Sequence, residues 1–399
     1  MNSGEANGAS PAREPLDGIT VLELGGFITG PYAGLLLADL GATVIKIERP
    51  EGDPFRAFRG GQYSPNFVGF NRNKRSVKLD LGSATGRDTF LRLVEQADVV
   101  IENFRPGVMD KLGLGCEKLR ALNPRLVYCA IAGFPPGSEN ADGPAFDAIG
   151  QAQSGMLDVF LDPANPDVRG PTIADQVAGM YASYGILGAL AGRTTSGVGR
   201  RVDVNMVEAA MSFMPDFFAS YSREGTLMGS TTRAAYSHTF AFRCADGEMV
   251  GIQLSSPEKF WLAMVNAIGV PALAADPRFC TRVLRIQNFQ ELTAQLRLLF
   301  AAQPRAHWLD VLTRADVPHS AIRRVDEVLQ DPVLQRGGTF RTLSHPEMGD
   351  VTCIERPVLF DGGRAPTRCP PPVLGEHTDE VLREFGIGSA EPAGMPRHG

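Results

Sequence analysis

The clearest periodic pattern in the chain lies in 170–204, GPTIADQVAGMYASYGILGALAGRTTSGVGRRVDV, where apolar residues recur after Pro171 at Val177, Met180, Tyr184, Leu187 and Leu190. Steps of three and four predict a helix with that face buried. Gly185 and Gly188 would let a neighbouring element approach closely. Arg193 falls in the predicted last turn, where a cation suits the negative helix end, and Gly197 and Gly199 stop the helix. Asp175 falls in the first turn, near the positive end of the helix dipole, a position that keeps a carboxylate ionised at neutral pH. The same position suits an ordinary cap for unpaired backbone amides, so position alone leaves nucleophile and cap both open.

Before this helix the pattern alternates. From Gly18 it reads strand (ITVLEL), glycine-rich turn (GGFITGP), helix (YAGLLLADLG) and strand (ATVIKIE, ending at Glu48), a βαβ unit whose first turn presents backbone amides. Glu48 lies about 20 residues past the glycines, as in nicotinamide folds, but GGFITGP does not supply GxGxxG and Pro31 follows the last glycine, so no nicotinamide site is predicted. The run FNRNKRSVKLDL follows, with Arg72, Lys74 and Arg75 concentrated in it; a phosphate-bearing ligand and a solvated loop are the two readings. TGRDTFLRLVEQ reads as helix and ADVVIEN as buried strand; ENFRPGVMDKLG turns into a short helix, with Phe104 and Arg105 at the strand's carboxyl end, where ligands collect in open α/β sheets. LNPRLVYCAIAGF gives another strand, and RRVDVNMVEAAMSFM continues as helix.

The composition changes around 222–237. A strand pair, FAFRCADGEMVGIQL, turned by Asp246 and Gly247, leads into helices starting near Pro257, Gln287 and Arg305, the pattern of a smaller α+β domain. After Val325 come a short helix, two strand-like runs and a final helix, LGEHTDEVLREFG, capped at Thr378. The expected organisation is a flexible tail (1–15), a large domain (16–220), a small domain (221–325) and a return to the large domain (326–399) that ends in a disordered tail.

Composition narrows the function. The chain has 399 residues, 43% of them hydrophobic, enough for two cores. A net charge of −6 offers no broad basic surface for nucleic acid, and no run of about 18 apolar residues exists to span a membrane. The first residues lack a secretory pattern, which points to the cytoplasm. Six cysteines form no CxxC pair and read as reduced thiols; six scattered histidines make no HExxH, and no GxSxG elbow occurs. A metal-free mechanism with little use of histidine is expected.

Several segments together resemble a known family: GPYAGLLLADLGATVIKIERPEGD, FNRNKRSVKLDL, ADVVIENFRPGVMDKLGL, LNPRLVY, FDAIGQAQSG, the D-x-x-x-G helix followed by GVGRRVDV, and LGEHTDEVL. Their order and spacing are similar to those of class III (CaiB/BaiF-type) CoA transferases, the family of formyl-CoA transferase and carnitine CoA-transferase, with α-methylacyl-CoA racemase as a relative. The resemblance runs from about Leu16 to Gly386. It implies an α/β fold with a Rossmann-like large domain plus a smaller α+β domain, in a homodimer of interlocked rings. It also implies coenzyme A and its acyl thioesters as substrates, with small carboxylic acids as partners.

Carried over residue by residue, the resemblance places Ile28 and Thr29 at the nucleotide and Arg49 against the adenine or a phosphate. Leu79, Asp80, Leu81, Gly82, Asn103, Phe104, Arg105 and Lys111 then line the cofactor's route. Phe146 and Asp147 would stand where the pantetheine meets the nucleophile, and Asp175 matches the catalytic aspartate. A positioned aspartate makes acyl transfer intramolecular, and backbone amides near the helix start would hold the oxyanions. The racemase branch has a histidine at the position of Phe146, and a phenyl ring cannot carry a proton, which disfavours racemisation. The glycine run of formyl-CoA transferase has no counterpart in DGEMVGIQLSSPEKF, which argues against formyl-CoA and oxalate. The expected activity is transfer of CoA between carboxylic acids, with a short dicarboxylyl-CoA such as succinyl-CoA as donor, suggested by Arg56 and Arg59. An isomerase acting at the α-carbon and a non-catalytic CoA-binding subunit are the other two readings.

Overall fold

A computed structural model of the chain describes residues 14–61 and 63–388. The expected terminal tails fall mostly outside these residues. Two compact units are present. The larger comprises Met1–Met156, Gly170–Phe213 and Gly337–Gly399, and the smaller comprises Leu157–Arg169 and Met214–Arg336.

The larger unit is built on six parallel strands: β1 (Thr20–Glu23), β2 (Thr43–Glu48), β3 (Lys74–Lys78), β4 (Val99–Glu102), β5 (Val127–Ala132) and β6 (Arg201–Asn205). Their order is β3-β2-β1-β4-β5-β6. The order reverses between β1 and β4, and a crevice opens there at the carboxyl ends of the strands, the usual ligand position in open α/β sheets. Val21, Leu22, Ile45, Val99, Val100 and Ile101 are fully buried or nearly so, as expected for strands covered on both faces. Strand β6 corrects the expectation of helix for RRVDVN: it pairs with β5 through Cys129 and Val202, and the helix begins only at Met206.

The predicted long helix is present as Ile173–Ser196, ended by Gly197 at φ +73°. Its buried face is not the one the periodicity chose. Met180 and Tyr184 are 52% and 74% exposed, whereas Ala174, Ala178, Ala182, Ile186 and Ala189 are buried with Val177 and Leu190. The stripe of small residues lets the helix lie close to the Thr29–Asp39 helix: a Cβ on Gly179 would come within 2.8 Å of the Thr29 carbonyl oxygen. Gly185 packs against Val202 in the same way, but Gly188 faces open space. Arg193 is buried and binds Asp98 at 2.8 Å, so it ties the helix end to the sheet.

The smaller unit carries an antiparallel sheet of β7 (Thr239–Arg243), β8 (Met249–Gln253) and β9 (His319–Ile322). Gly247 at φ +82° makes the β7–β8 turn. Phe240, Phe242, Trp261, Phe300 and Trp308 form its core, with Phe242 stacked on Phe300 at 4.5 Å. In the larger unit β10 (Phe340–His345) and β11 (Gly349–Ile354) make a hairpin, and Thr378–Glu384 is the last helix. Thr378 does not cap that helix; its hydroxyl donates to the Gly375 carbonyl and accepts from the Lys78 amide. All six cysteines are free thiols. Among the described residues no helix is long and apolar enough to cross a membrane, and no group of three or more His, Cys, Asp or Glu could hold a metal ion.

Candidate active site

The turn after β1 is the part of the site most constrained by local sequence. Gly25 and Gly30 pack back to back, and a Cβ on either would come within 2.9 Å of the other's Cα. Asn103, just past β4, clamps the turn from the far side of the crevice. Its Oδ1 accepts from the Gly26 amide at 3.0 Å, and its Nδ2 donates to the Gly26 carbonyl and the Thr29 hydroxyl, both at 2.8 Å. Asp53 accepts from the Phe27 amide at 3.2 Å. Phe27 itself sits at φ +62°, a conformation that costs a non-glycine residue about 1–3 kcal/mol and persists only where its surroundings enforce it.

Those surroundings are ionic. The parallel register sets Glu23 opposite Lys46, and Lys46 opposite Ser76 on the next strand. Lys46, fully buried, binds Glu23 at 2.9 Å and Asp53 at 2.8 Å and donates to the Gly25 carbonyl at 2.7 Å. Lys74, also fully buried, binds Glu23 at 2.7 Å and the Pro31 carbonyl at 2.7 Å. Burial alone would raise the Asp53 carboxyl, but Lys46 and the amides of Phe55 and Phe27 outweigh it and hold the group below the usual range. Lys74 is pulled down to about 8, mainly by its burial.

Two adjoining cavities open around this turn. One, of about 400 Å³, lies over the ends of β1, β2 and β3 and is lined by Arg49 and by Leu79, Asp80, Leu81 and Gly82. Arg49 donates to the Gly52 carbonyl at 3.0 Å, which fixes its stem while 61% of the side chain stays exposed. The other cavity, of about 270 Å³, is lined by Ile28, Thr29, Arg105, Phe146 and Asp175. Phe27, Asn103 and Phe104 line both. The fold thus brings together all but two of the residues expected to surround a ligand. Lys111 stays exposed beside Leu112, which lines the larger cavity in its place, and Asp147 stands behind Asp175 instead of lining its cavity.

Asp147 bears on the cap reading of Asp175. Its Oδ1 accepts from the Asp175 amide at 3.3 Å, its Oδ2 accepts from Gln151 at 2.6 Å, and the Ala174 amide also bonds to this carboxylate. Capping of the long helix is therefore done by Asp147, and among the described residues nothing hydrogen-bonds the Asp175 carboxylate. One expectation changes with this. The Ala174 and Asp175 amides are taken by Asp147 and cannot hold an oxyanion. A second expectation, that the helix dipole keeps Asp175 fully ionised at neutral pH, is also corrected. Burial, with the like charge of Asp147 added, pushes its carboxyl up to about 7.

Four of the basic residues singled out for ligands, Arg56, Arg72, Lys74 and Arg75, are occupied elsewhere. Arg72 pairs with Asp39, Lys74 with Glu23, and Arg75 with Glu380 and Glu384. Arg56 is 1% exposed, binds Glu48 at 2.7 Å and lies 3.9 Å over the Phe67 ring. Glu48 accepts from Arg56, from the Ser76 hydroxyl at 2.6 Å and from the Asp53 amide at 3.0 Å. Of the cations considered, Arg49 and Arg105 face the cavities.

Known proteins match this arrangement along nearly its whole length. The model of CoA-transferase family III matches residues 16–378. The chain belongs to that family. It is 34% identical to an acetyl-CoA:oxalate CoA-transferase of Acetobacter aceti, over 97% of this chain and 100% of that one. It is 33% identical to a succinyl-CoA–D-citramalate CoA-transferase of Chloroflexus aurantiacus, over 93% and 94%. Among solved structures, a CaiB/BaiF family protein from Brucella suis superimposes with a TM-score of 0.83 at 31% identity, covering 94% of this chain and all of that one. The chain is thus a CoA-transferase whose substrates are CoA thioesters, on a mixed α/β fold with a six-stranded parallel sheet.

For this family III member, sequence reasoning passed over Phe27, Lys46 and Asp53. The signal for the last two was present, since a lysine flanked by isoleucines within the strand TVIKIE needs a buried counterion. Nothing in the sequence marks Phe27 as a left-handed residue, because glycine is the residue such a position favours.

Proposed function

We propose that this enzyme is an acyl-CoA:carboxylate CoA-transferase in which Asp175 carries the acyl group and then CoA. The supporting observation is that Asp175 lines the end of the ligand cavities with its carboxylate free of hydrogen-bond partners among the described residues, because Asp147 caps the helix in its stead. An Asp175 oxygen attacks the donor thioester carbonyl, the C–S bond breaks, and CoA leaves as thiolate. The product on the enzyme is a mixed anhydride. The thiolate attacks the Asp175 carbonyl, releasing the donor acid and leaving an aspartyl-CoA thioester. The acceptor carboxylate attacks that thioester to form a second anhydride, and the thiolate then takes the new acyl group and frees Asp175. A carboxyl held near 7 is a more basic, more nucleophilic oxyanion than an ordinary aspartate, and about half of it is ionised at neutral pH. In this reading the nucleotide lies in the larger cavity against Arg49 and Leu79–Gly82, and the pantetheine passes Asn103 and Phe104 to Asp175.

For the acid pair we propose a short dicarboxylyl-CoA such as succinyl-CoA as donor. Arg56 no longer supports this. Support comes from Arg105, which lines the Asp175 cavity and suits a second carboxylate, and from relatives named for succinyl-CoA. Oxalate returns as a candidate acceptor through the 34% identical relative named for it. The assembly we propose is the interlocked homodimer, working in the cytoplasm; Met180, Tyr181 and Tyr184, exposed on one side of the long helix, supply an apolar surface of the kind that a partner covers. Sedimentation at several protein concentrations checks the dimer. To test the chemistry, the protein is incubated with a panel of acyl-CoAs, quenched with hydroxylamine and analysed by mass spectrometry. A hydroxamate on Asp175 supports the reading, and a modified peptide elsewhere overturns it.

A further inference from the structure

The most strained residue near the reactive carboxylate is also an aromatic one. Phe27 occupies a left-handed position immediately after two glycines, so the chain holds a ring where a third glycine would have been free of strain. Five groups enforce the conformation: Lys46, Asp53 and Asn103 on the polar side, and Phe55 and Ile28 on the apolar side. The ring lies edge-on to buried Phe55 at 5.2 Å and edge-on to Phe146 at 5.5 Å. Phe146 reaches it from a different segment, just before the residue that caps the long helix, and leaves 59% of its surface exposed. Both rings line the cavity of Asp175, and Phe27 also lines the larger cavity, so the pair stands where the two spaces meet.

A covalent carrier of this kind has a competitor for its intermediates, namely water. Adding to an anhydride carbonyl, water breaks a C–O bond and returns the free acid and the Asp175 carboxylate. Adding to the aspartyl-CoA carbonyl, it breaks the C–S bond and releases CoA thiol. Each event turns a transfer into a hydrolysis. We propose that Phe27 and Phe146 form an aromatic shield that keeps water from the Asp175 intermediates and so commits the enzyme to carboxylate acceptors. The proposal rests on Asp175 being the carrier. Two edge-to-face rings suit the task, since they offer no hydrogen bond to a water molecule while a flat acyl chain or pantetheine arm can slide against them.

The test compares Phe146→Ala, Phe146→Leu and Phe27→Gly with the native enzyme, using succinyl-CoA and the acceptor acid that gives most product. New acyl-CoA is measured by chromatography, and free thiol beyond it by a colorimetric reagent. Phe146 is largely exposed, so its truncation leaves the core intact; thermal melting verifies this, and Phe146→Leu retains apolar cover if the alanine variant melts early. The expected result is a hydrolysis-to-transfer ratio raised about tenfold in Phe146→Ala and in Phe27→Gly, with Phe146→Leu close to native. Equal ratios in all four proteins, or transfer and hydrolysis falling together, overturn the shield. Failure of the native enzyme to transfer or exchange CoA with any acyl-CoA of the panel overturns the carrier reading instead.

Discussion

Two aspartates flank the turn that carries Phe27, and they have opposite fates. Asp53 is buried and paired: Lys46 sits 2.8 Å from it, two backbone amides donate to it, and its carboxyl is held below the usual range. Asp175 is half-buried and unpaired, its neighbouring charge has the same sign, and its carboxyl is pushed up to about 7. Burial acts on both in the same direction; the partner decides the outcome. Asp53 with its lysine is a fastening for the turn, whereas Asp175 without one is left basic and available for chemistry. The same side chain is therefore held ionised or left basic according to what the fold places beside it.

Removing each carboxylate should separate the two roles. Asp175→Ala is expected to reduce CoA transfer by about a thousandfold or more in a coupled assay while the fold survives. Asp53→Ala should act mainly on stability: it leaves part of the Lys46 charge buried without a counterion, and chemical denaturation should show a loss of about 3 kcal/mol. Wild-type stability after Asp53→Ala would mean that the pair does not fasten the turn.

The pH dependence sharpens the contrast. Because the folded value of Asp175 lies above its unfolded value of 3.8, protonation favours the fold; that contribution is complete below about pH 4 and is lost as pH rises to about 7. Asp175→Asn should accordingly gain stability over the native enzyme as pH rises from 4 to 7, by about 2 kcal/mol after allowance for solvent screening at a half-buried site, and hold that gain above 7. A native kcat/KM profile should rise through an acid limb with a midpoint near 7. Asp147→Asn removes the like charge, keeps a carbonyl oxygen to cap the helix, and should move that limb to lower pH, while burial keeps it above the ordinary carboxylate range.

The last pair of substitutions concerns the packing that positions Asp175, and the smaller effect of the two closes the series. Gly179→Ala would force a Cβ to within 2.8 Å of the Thr29 carbonyl and should destabilise by about 1–3 kcal/mol. Gly188→Ala on the same helix meets nothing within 4 Å and should stabilise by about 0.5–1 kcal/mol, read as a higher melting temperature.

By itself the sequence determined the βαβ start, the long helix with Asp175 in its first turn and Gly197 at its end, and the family. These are local or collinear properties, set by periodicity, turn glycines and the order of motifs. Only the tertiary structure decided which face of that helix is buried, because close packing favours alanine and glycine where a hydrophobicity count favours tyrosine and methionine. It alone turned Lys74 and Arg56 into internal counterions, gave the helix cap to Asp147, and stood Phe27 in a left-handed turn. For Lys74, the helix cap and Phe27 the deciding groups come from distant parts of the chain, and for Arg56 the pairing with Glu48 appears only once the loop folds back on its strand; a carboxylate's basicity depends on such neighbours rather than on its own position.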